Sequence, residues 1–306
     1  TALFFESVLQ STHVNSATVT ALTAIGNEIA DSAFAAVERT VQGNIFAGGE
    51  YTLFDLGTLG GDSSAALGIN DFGQVVGWAR DSSGKTNAFL WQNGSMESLG
   101  FLPGGSNSAA TAINSKGEIT GYSTLSNGYF HAFLYRSNSL ADLGTLGGLQ
   151  SWGRSLNGQT EIAGSSQLLS NNPTSSDPES FLWRSNRFTH IPPFHNYYSC
   201  DGNAINEEGF VCGITFLWAT NDRWWAYVFH DDNGNGICDS GEMKLLGTLG
   251  VQYSFGSYSG ANAINDSGQV VGWTCITNTP TPKHAFWVTP TNGQWKIPAG
   301  SPNPTN

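Results

Sequence analysis

Gly68-Ile69-Asn70-Asp71-Phe72-Gly73-Gln74-Val75-Val76-Gly77 is the stretch that decides how this chain folds. Ile69, Val75 and Val76 are β-branched and suit strands. Between them, Asn70 can bond its own backbone in a turn and Gly73 can take positive φ. The stretch reads as two strands and a hairpin. The same reading returns at Ala112–Gly121, Ser155–Gly164, Ala204–Gly213 and Ala263–Gly272, anchored on Asn114, Asn157, Asn206 and Asn265. The spacings between these asparagines are 44, 43, 49 and 59 residues.

Working outward, each anchor is followed by an aromatic-centred strand: Asn87–Trp91, His131–Tyr135, Ser180–Trp183, Trp225–Phe229 and His284–Val288. A further strand leads into a glycine-rich link, clearest as Asp55–Gly61, Asp142–Gly148 and Leu246–Gly250. Four short strands in a unit of about 40–50 residues are the signature of a propeller blade. Five units predict an all-β, five-bladed β-propeller of four-stranded blades. The asparagines recur with the repeat, so they read as turn residues and not as ligands. There are six candidates for the fourth strand. Either Thr52–Leu56 or Gln294–Ile297 is expected to complete the last blade, leaving the other surplus.

The pattern resembles the HAF-repeat family of bacterial extracellular proteins. His131-Ala132-Phe133 and His284-Ala285-Phe286 match its tripeptide in full, while the other three units depart at the histidine. The resemblance covers about residues 51–298. It implies an exported, propeller-like protein and no defined chemistry.

Residues 1–46 do not share the repeat. Apolar residues at 22, 25, 29, 34, 37 and 41 fall near helical spacing. They predict a helix from about Ala2 to Val41, roughly 60 Å long at 1.5 Å per residue, followed by a linker over 47–50. The propeller then spans 51–298 and a tail 299–306. The apolar stripe of such a helix must be buried against its own propeller or against other copies. A long N-terminal helix before a β head is similar in architecture to pilins. Polar Gln10–His13 interrupt the apolar run that the type IV pilin motif requires.

The net charge is −12 with 12 Lys and Arg and no basic run, which argues against nucleic acid and anionic membrane surfaces as partners. No apolar stretch approaches the roughly 20 residues of a spanning helix. Thr1 at the start reads as a processed product, which points to export. Cys200, Cys212, Cys238 and Cys275 have no zinc or redox spacing. Cys200 and Cys212 flank a predicted turn and are expected to pair across it, with Cys238–Cys275 as the second disulfide. Four buried thiols are the alternative.

Asp231-Asp232-Asn233-Gly234-Asn235-Gly236-Ile237-Cys238-Asp239-Ser240-Gly241-Glu242 carries the strongest site signal. Oxygen ligands would come from Asp231, Asn233, Asn235, the Ile237 carbonyl, Asp239 and Glu242, with Gly236 at the turn. This is the spacing of a calcium loop. The alternative is a solvated hairpin tip. Trp218, Trp224 and Trp225 lie in or beside an insertion of the fourth unit and are expected to offer exposed stacking faces to a carbohydrate. Trp78, Trp91, Trp183 and Trp273 sit in the repeat and read as core. Asp71, Glu118, Glu161, Glu207 and Asp266 lie at or near the blade turns and read as solvated turn residues, not as the carboxylate pair of a glycosidase. Together these readings point to a non-enzymatic extracellular structural or cell-surface protein that binds structural Ca2+. It could form a homopolymer through its N-terminal helix. A lectin-like propeller is the second reading and a glycosidase the third.

Overall fold

A computed structural model describes the backbone at residues 18–19, 38–42, 51–169, 178–193, 199–217, 223–249, 258–275, 283–291 and 294–295. All its regular structure is β. Four consecutive four-stranded antiparallel sheets are each a simple meander. The first is Gly60–Ile69, Val75–Asp81, Thr86–Gln92 and Ser95–Gly100. The second is Ser108–Ile113, Ile119–Thr124, Phe130–Arg136 and Ser139–Gly144. The third is Gly147–Leu156, Ile162–Leu168, Pro178–Arg184 and Arg187–Ile191. The fourth is Cys200–Ile205, Val211–Leu217, Arg223–Phe229 and Met243–Gly247. A fifth sheet has three strands, Ser259–Ile264, Val270–Cys275 and Lys283–Val288.

Local chemistry explains the meander. The third and fourth strands are joined by two-residue turns at Asn93-Gly94, Ser137-Asn138 and Ser185-Asn186, with positive φ at both positions. That is the hairpin geometry whose twist matches the strands. In the first strand of each of these five sheets the register slips at an equivalent place, as between Ala110 and Ala112. Opposite that bulge stands the last glycine of the repeat. A Cβ on Gly121 would lie 2.0 Å from the Ala109 carbonyl oxygen, and one on Gly213 would lie 1.8 Å from that of Asp201. Only glycine fits there.

The core lies between sheets. One cluster joins Val76 and Ala88 of the first sheet to Ala110, Ile113, Ile119 and Phe133 of the second. Equivalent clusters join the second to the third, the third to the fourth and the fourth to the fifth. Each of the three inner sheets therefore has a leading face against its predecessor and a trailing face against its successor.

Two expectations are corrected, the first and third below, and the strand that completes the fifth sheet is left open by the observed pairing. Within the predicted N-terminal helix, the described residues Thr18–Val19 and Glu38–Gln42 are strands, paired with each other and then with Tyr51–Phe54. The β-branched Thr18, Val19, Thr40 and Val41 favour that outcome over the loose helical spacing. The remainder of 1–46 lies outside the described residues. Second, neither candidate fourth strand is paired with the fifth sheet: Tyr51–Phe54 pairs with Glu38–Gln42, and Gln294–Trp295 pairs with Pro290–Thr291. Third, Cys200 and Cys212 are not opposite each other. Cys200 faces Thr215 and Cys212 faces Ala204, because the turn is centred further along the chain than expected and the bulge shifts the register.

Candidate functional site

The repeated asparagines form a ladder from sheet to sheet. In each, Oδ1 accepts the backbone N–H groups two and four residues on, as Asn157 does from Gln159 and Glu161 at 3.0 and 2.9 Å. Nδ2 then donates to the carbonyl of the next asparagine: Asn70 to Asn114, Asn114 to Asn157, Asn157 to Asn206 and Asn206 to Asn265, each at 3.0 Å. The side chain thus closes its own turn and ties that turn to the next sheet.

The rim carboxylates are consumed the same way. Glu118 accepts from Asn114 Nδ2 at 2.8 Å and from the Thr160 hydroxyl at 2.7 Å. Glu161 accepts from Asn157 Nδ2, Glu207 from the Gly158 N–H, and Asp266 from the Glu207 N–H. Asp71 is exposed. Four of the five rim carboxylates thus serve as acceptors in the contacts that hold the turns and tie sheet to sheet.

A second clamp was not foreseen from the sequence. Ser108 Oγ accepts the Ala88 N–H of the preceding sheet at 2.8 Å and donates to the Gly100 carbonyl at 2.7 Å. Ser151 does the same with Ala132 and Gly144, and Ser259 takes the N–H of Ala226. In the third-to-fourth junction the thiol of Cys200 takes this place, accepting from Ser180 N at 3.1 Å and donating to the Ile191 carbonyl at 3.0 Å. Each of these residues stands six positions before its asparagine, and that constant offset is the signal that finds them.

All four cysteines are free thiols in the structure. Burial pushes Cys200 and Cys212 up to about 12. Cys238 is raised to about 11 by burial, with the charges of Glu242, Asp239 and Asp231 adding to it.

The 231–242 loop joins the third and fourth strands of the fourth sheet. The Asp231 side chain is almost fully buried. Its Oδ2 accepts the Gly236 N–H at 2.9 Å and is paired with the Arg184 guanidinium. Its Oδ1 is buried with no hydrogen-bond partner. Glu242 accepts the N–H groups of Asp232 and Asp239 at 3.0 and 2.8 Å. Asp239 Oδ2 accepts the side-chain amides of Asn233 and Asn235, both at 2.8 Å. Asn235 Oδ1 accepts the Ile237 N–H. As it stands the loop is bonded to itself, and among the described residues no three His, Cys, Asp or Glu side chains are placed together to hold a metal.

Of the three stacking candidates, Trp224 is exposed, against Phe216, Tyr258 and Trp273. Trp225 is buried, because strand alternation turns it inward. Trp218 lies outside the described residues. An open groove of about 300 Å³ between the first two sheets is lined by Trp78, Arg80, Asn107, Tyr122 and Phe130. It places Trp78, expected in the core, at a surface. No helix among the described residues is long and apolar enough to cross a membrane.

No protein-family model matches the chain, and no curated protein matches it. Among solved structures it is similar to the β-propeller domain of the Trilobed protease from Pyrococcus furiosus, described as having an open velcro topology. That match has 10% identity, covers 85% of this chain and 75% of that one, and has a TM-score of 0.51. A gluconolactonase from Xanthomonas campestris (11% identity, 82% and 81% covered) and AofleA from Arthrobotrys oligospora (11%, 85% and 77%) follow, each with a TM-score of 0.38. The first likeness shows a β-propeller fold and nothing of activity.

Proposed function

We propose that this chain is a non-enzymatic extracellular structural or cell-surface protein of the HAF-repeat kind, a propeller stabilised by calcium. The observation that supports it best is the use made of the repeat's polar groups. Asparagines, rim carboxylates and serines are used to join sheet to sheet, which builds a scaffold.

Calcium would be held by Asp231, Asn233, Asn235, the Ile237 carbonyl, Asp239 and Glu242. The buried, unpaired Oδ1 of Asp231 supports this, since a buried carboxylate oxygen without a partner is costly and a cation relieves it. Binding would draw Asp239 off the two amides and turn the amide oxygens inward. The Arg184 charge beside Asp231 lowers the net negative charge of the loop, so affinity falls in the range of extracellular modules, a Kd of roughly 10⁻⁴–10⁻³ M. Such a site fills outside the cell and staples the fourth sheet. Calorimetric titration should show one calcium bound in that range, with Tm rising at millimolar calcium. Glu242→Gln should abolish both; an unchanged Tm in the native chain removes calcium from the account.

Assembly through residues 1–46 is the other part of the reading. Electron microscopy of the full chain beside one lacking 1–46 tests it: filaments or sheets that need the segment support a polymer, and single particles from both exclude it. A carbohydrate-binding reading draws on the groove at Trp78, Tyr122 and Phe130, where ring faces lie beside the Arg80 and Asn107 side chains. Glycan-array binding lost in Trp78→Ala would favour it.

A further inference from the structure

The blade-to-blade interface is made four times and its two halves lie open at the ends of the series. The trailing face of the fifth sheet is bare. Val271 is 44% exposed where Val76, Thr120, Ala163 and Cys212 are fully buried, and Trp287 is 61% exposed where Leu134, Leu182 and Val228 are 1% exposed. The leading face of the first sheet is bare too: Ile69 is 69% exposed, against 8% for Ile113 and 7% for Leu156 and Ile205. The hydrogen-bonding groups match. Ser64 Oγ donates to the Gly57 carbonyl at 2.7 Å, as its equivalents do, but receives no N–H from a preceding sheet. The N–H in the matching position of the fifth sheet belongs to Ala285. Among the described residues Asn265 Nδ2 is bonded to Gln269 and to no following asparagine carbonyl, which every other member of the ladder has.

The residues that precede the first sheet already carry the form of a blade link. Asp55 accepts the Gly57 N–H as Asp142 accepts that of Gly144. Thr58 donates to Gly61 and accepts from Gly60 as Thr145 does with Gly148 and Gly147. Leu56 lies against the core of the first sheet. What differs is the strand before the link. In the other sheets that strand lies beside the aromatic third strand, and one pair across the two strands is matched in chemistry. Asn87 bonds Ser98, His131 bonds Asp142, Glu179 bonds His190 in reverse order, and Trp225 stands at the place matched by the apolar Leu245. Carried to the fifth sheet, the same register sets His284 against Asp55. Both are exposed. A groove of about 240 Å³ lies between Leu246–Leu249, which lead out of the fourth sheet, and Ala285–Val288 of the fifth.

We propose that Tyr51–Leu56 is the fourth strand of the fifth sheet, closing the ring within one chain. By the register of the second sheet, Gly57 falls opposite Ala285 and Phe54 opposite Trp287. Closure forms the His284–Asp55 pair, the Ala285 N–H to Ser64 bond and the Asn265 to Asn70 rung, and covers Ile69, Val271 and Trp287. Tyr51–Phe54 is an edge strand of its sheet and pairs with Glu38–Gln42 on one side only, so its second edge can take Lys283–Val288. The occupant is the chain's own strand, because tethering gives it an effective concentration that no second copy matches.

The test is the double variant Phe54→Cys with Trp287→Cys, oxidised and resolved on a non-reducing gel with peptide mapping. Directly opposed strand residues have Cα separations within the range a disulfide spans. The expected result is a monomer with a 54–287 disulfide. Disulfide-linked dimers or longer species would place the strand in a second copy, and free thiols at both positions would leave the seam open; either overturns the proposal. Ile69→Ala gives a second readout that needs no cross-link. Closure predicts that it lowers Tm as much as Ile113→Ala does, and an unchanged Tm overturns it.

Discussion

Asn157 shows how much a single repeated side chain carries. It accepts two backbone N–H groups in its own turn and donates to Glu161 and to the Asn206 carbonyl, and it is buried. Asn157→Ala leaves those four groups without that partner, so urea denaturation should show a loss of about 4 kcal/mol or more, at about 1–3 for each stranded group. Asn157→Asp keeps the turn but sets a carboxylate oxygen against Glu161 and the Asn206 carbonyl, and it should be destabilised through both contacts. Cys200 is the thiol counterpart of Ser108 and Ser151. Cys200→Ser should stay within about 1 kcal/mol of the native chain, while Cys200→Ala strands the Ser180 N–H and costs about 1–3 kcal/mol. The thiolate is the nucleophile, and burial holds the Cys200 and Cys212 protons up to about 12. Native protein at pH 9 should therefore resist alkylation at both, and mass spectrometry would show it. The folded chain keeps these protons where the unfolded chain releases them, so what the neutral thiols contribute is fully present below about pH 9 and is lost as pH rises towards 12. At this scale the turn role of the asparagines was legible from recurrence. Their reach to the next sheet was not, because a repeat shows which residue returns and not which neighbour it touches.

At the scale of strands, the hairpins were readable because turn chemistry is local: Asn and Gly at fixed places declare them. Pairing register was not, because a bulge adds one residue without changing the composition of a strand. That is why Cys200 and Cys212 looked opposed and are not. The bulge also explains the glycine that ends each repeat motif. Gly121→Ala would put a methyl group 2.0 Å from the Ala109 carbonyl oxygen. The three nearest atoms are all backbone of Ala109 and Ala110, which leaves no cheap relief, so the strand pair must part. A loss of more than about 3 kcal/mol in thermal or chemical unfolding is expected, well above an ordinary overpacked site. In residues 1–46 the apolar spacing was too sparse to outweigh β-branched pairs, and the described parts of that segment form strands. In the 231–242 loop, ligand order was legible from spacing alone. The Arg184 partner was not, since it comes from the preceding sheet.

Across the whole molecule, the five repeats become five sheets in series, each completing the core of the last. An interface made four times by the same bonds, with its two halves left at the ends, argues for a fifth copy. The sequence already held six fourth-strand segments for five sheets. It could not say which one closes the last, because Thr52–Leu56 and Gln294–Ile297 satisfy the same pattern; the matched pairs across the third and fourth strands favour the first. Hydrogen exchange with mass spectrometry tests this most directly. The account predicts that peptides spanning Ser64–Asn70 and Lys283–Val288 are protected to the same degree as Ser108–Asn114 and Phe130–Arg136 of the second sheet. Exchange of those two peptides within seconds, with the second sheet still protected, would contradict a closed ring.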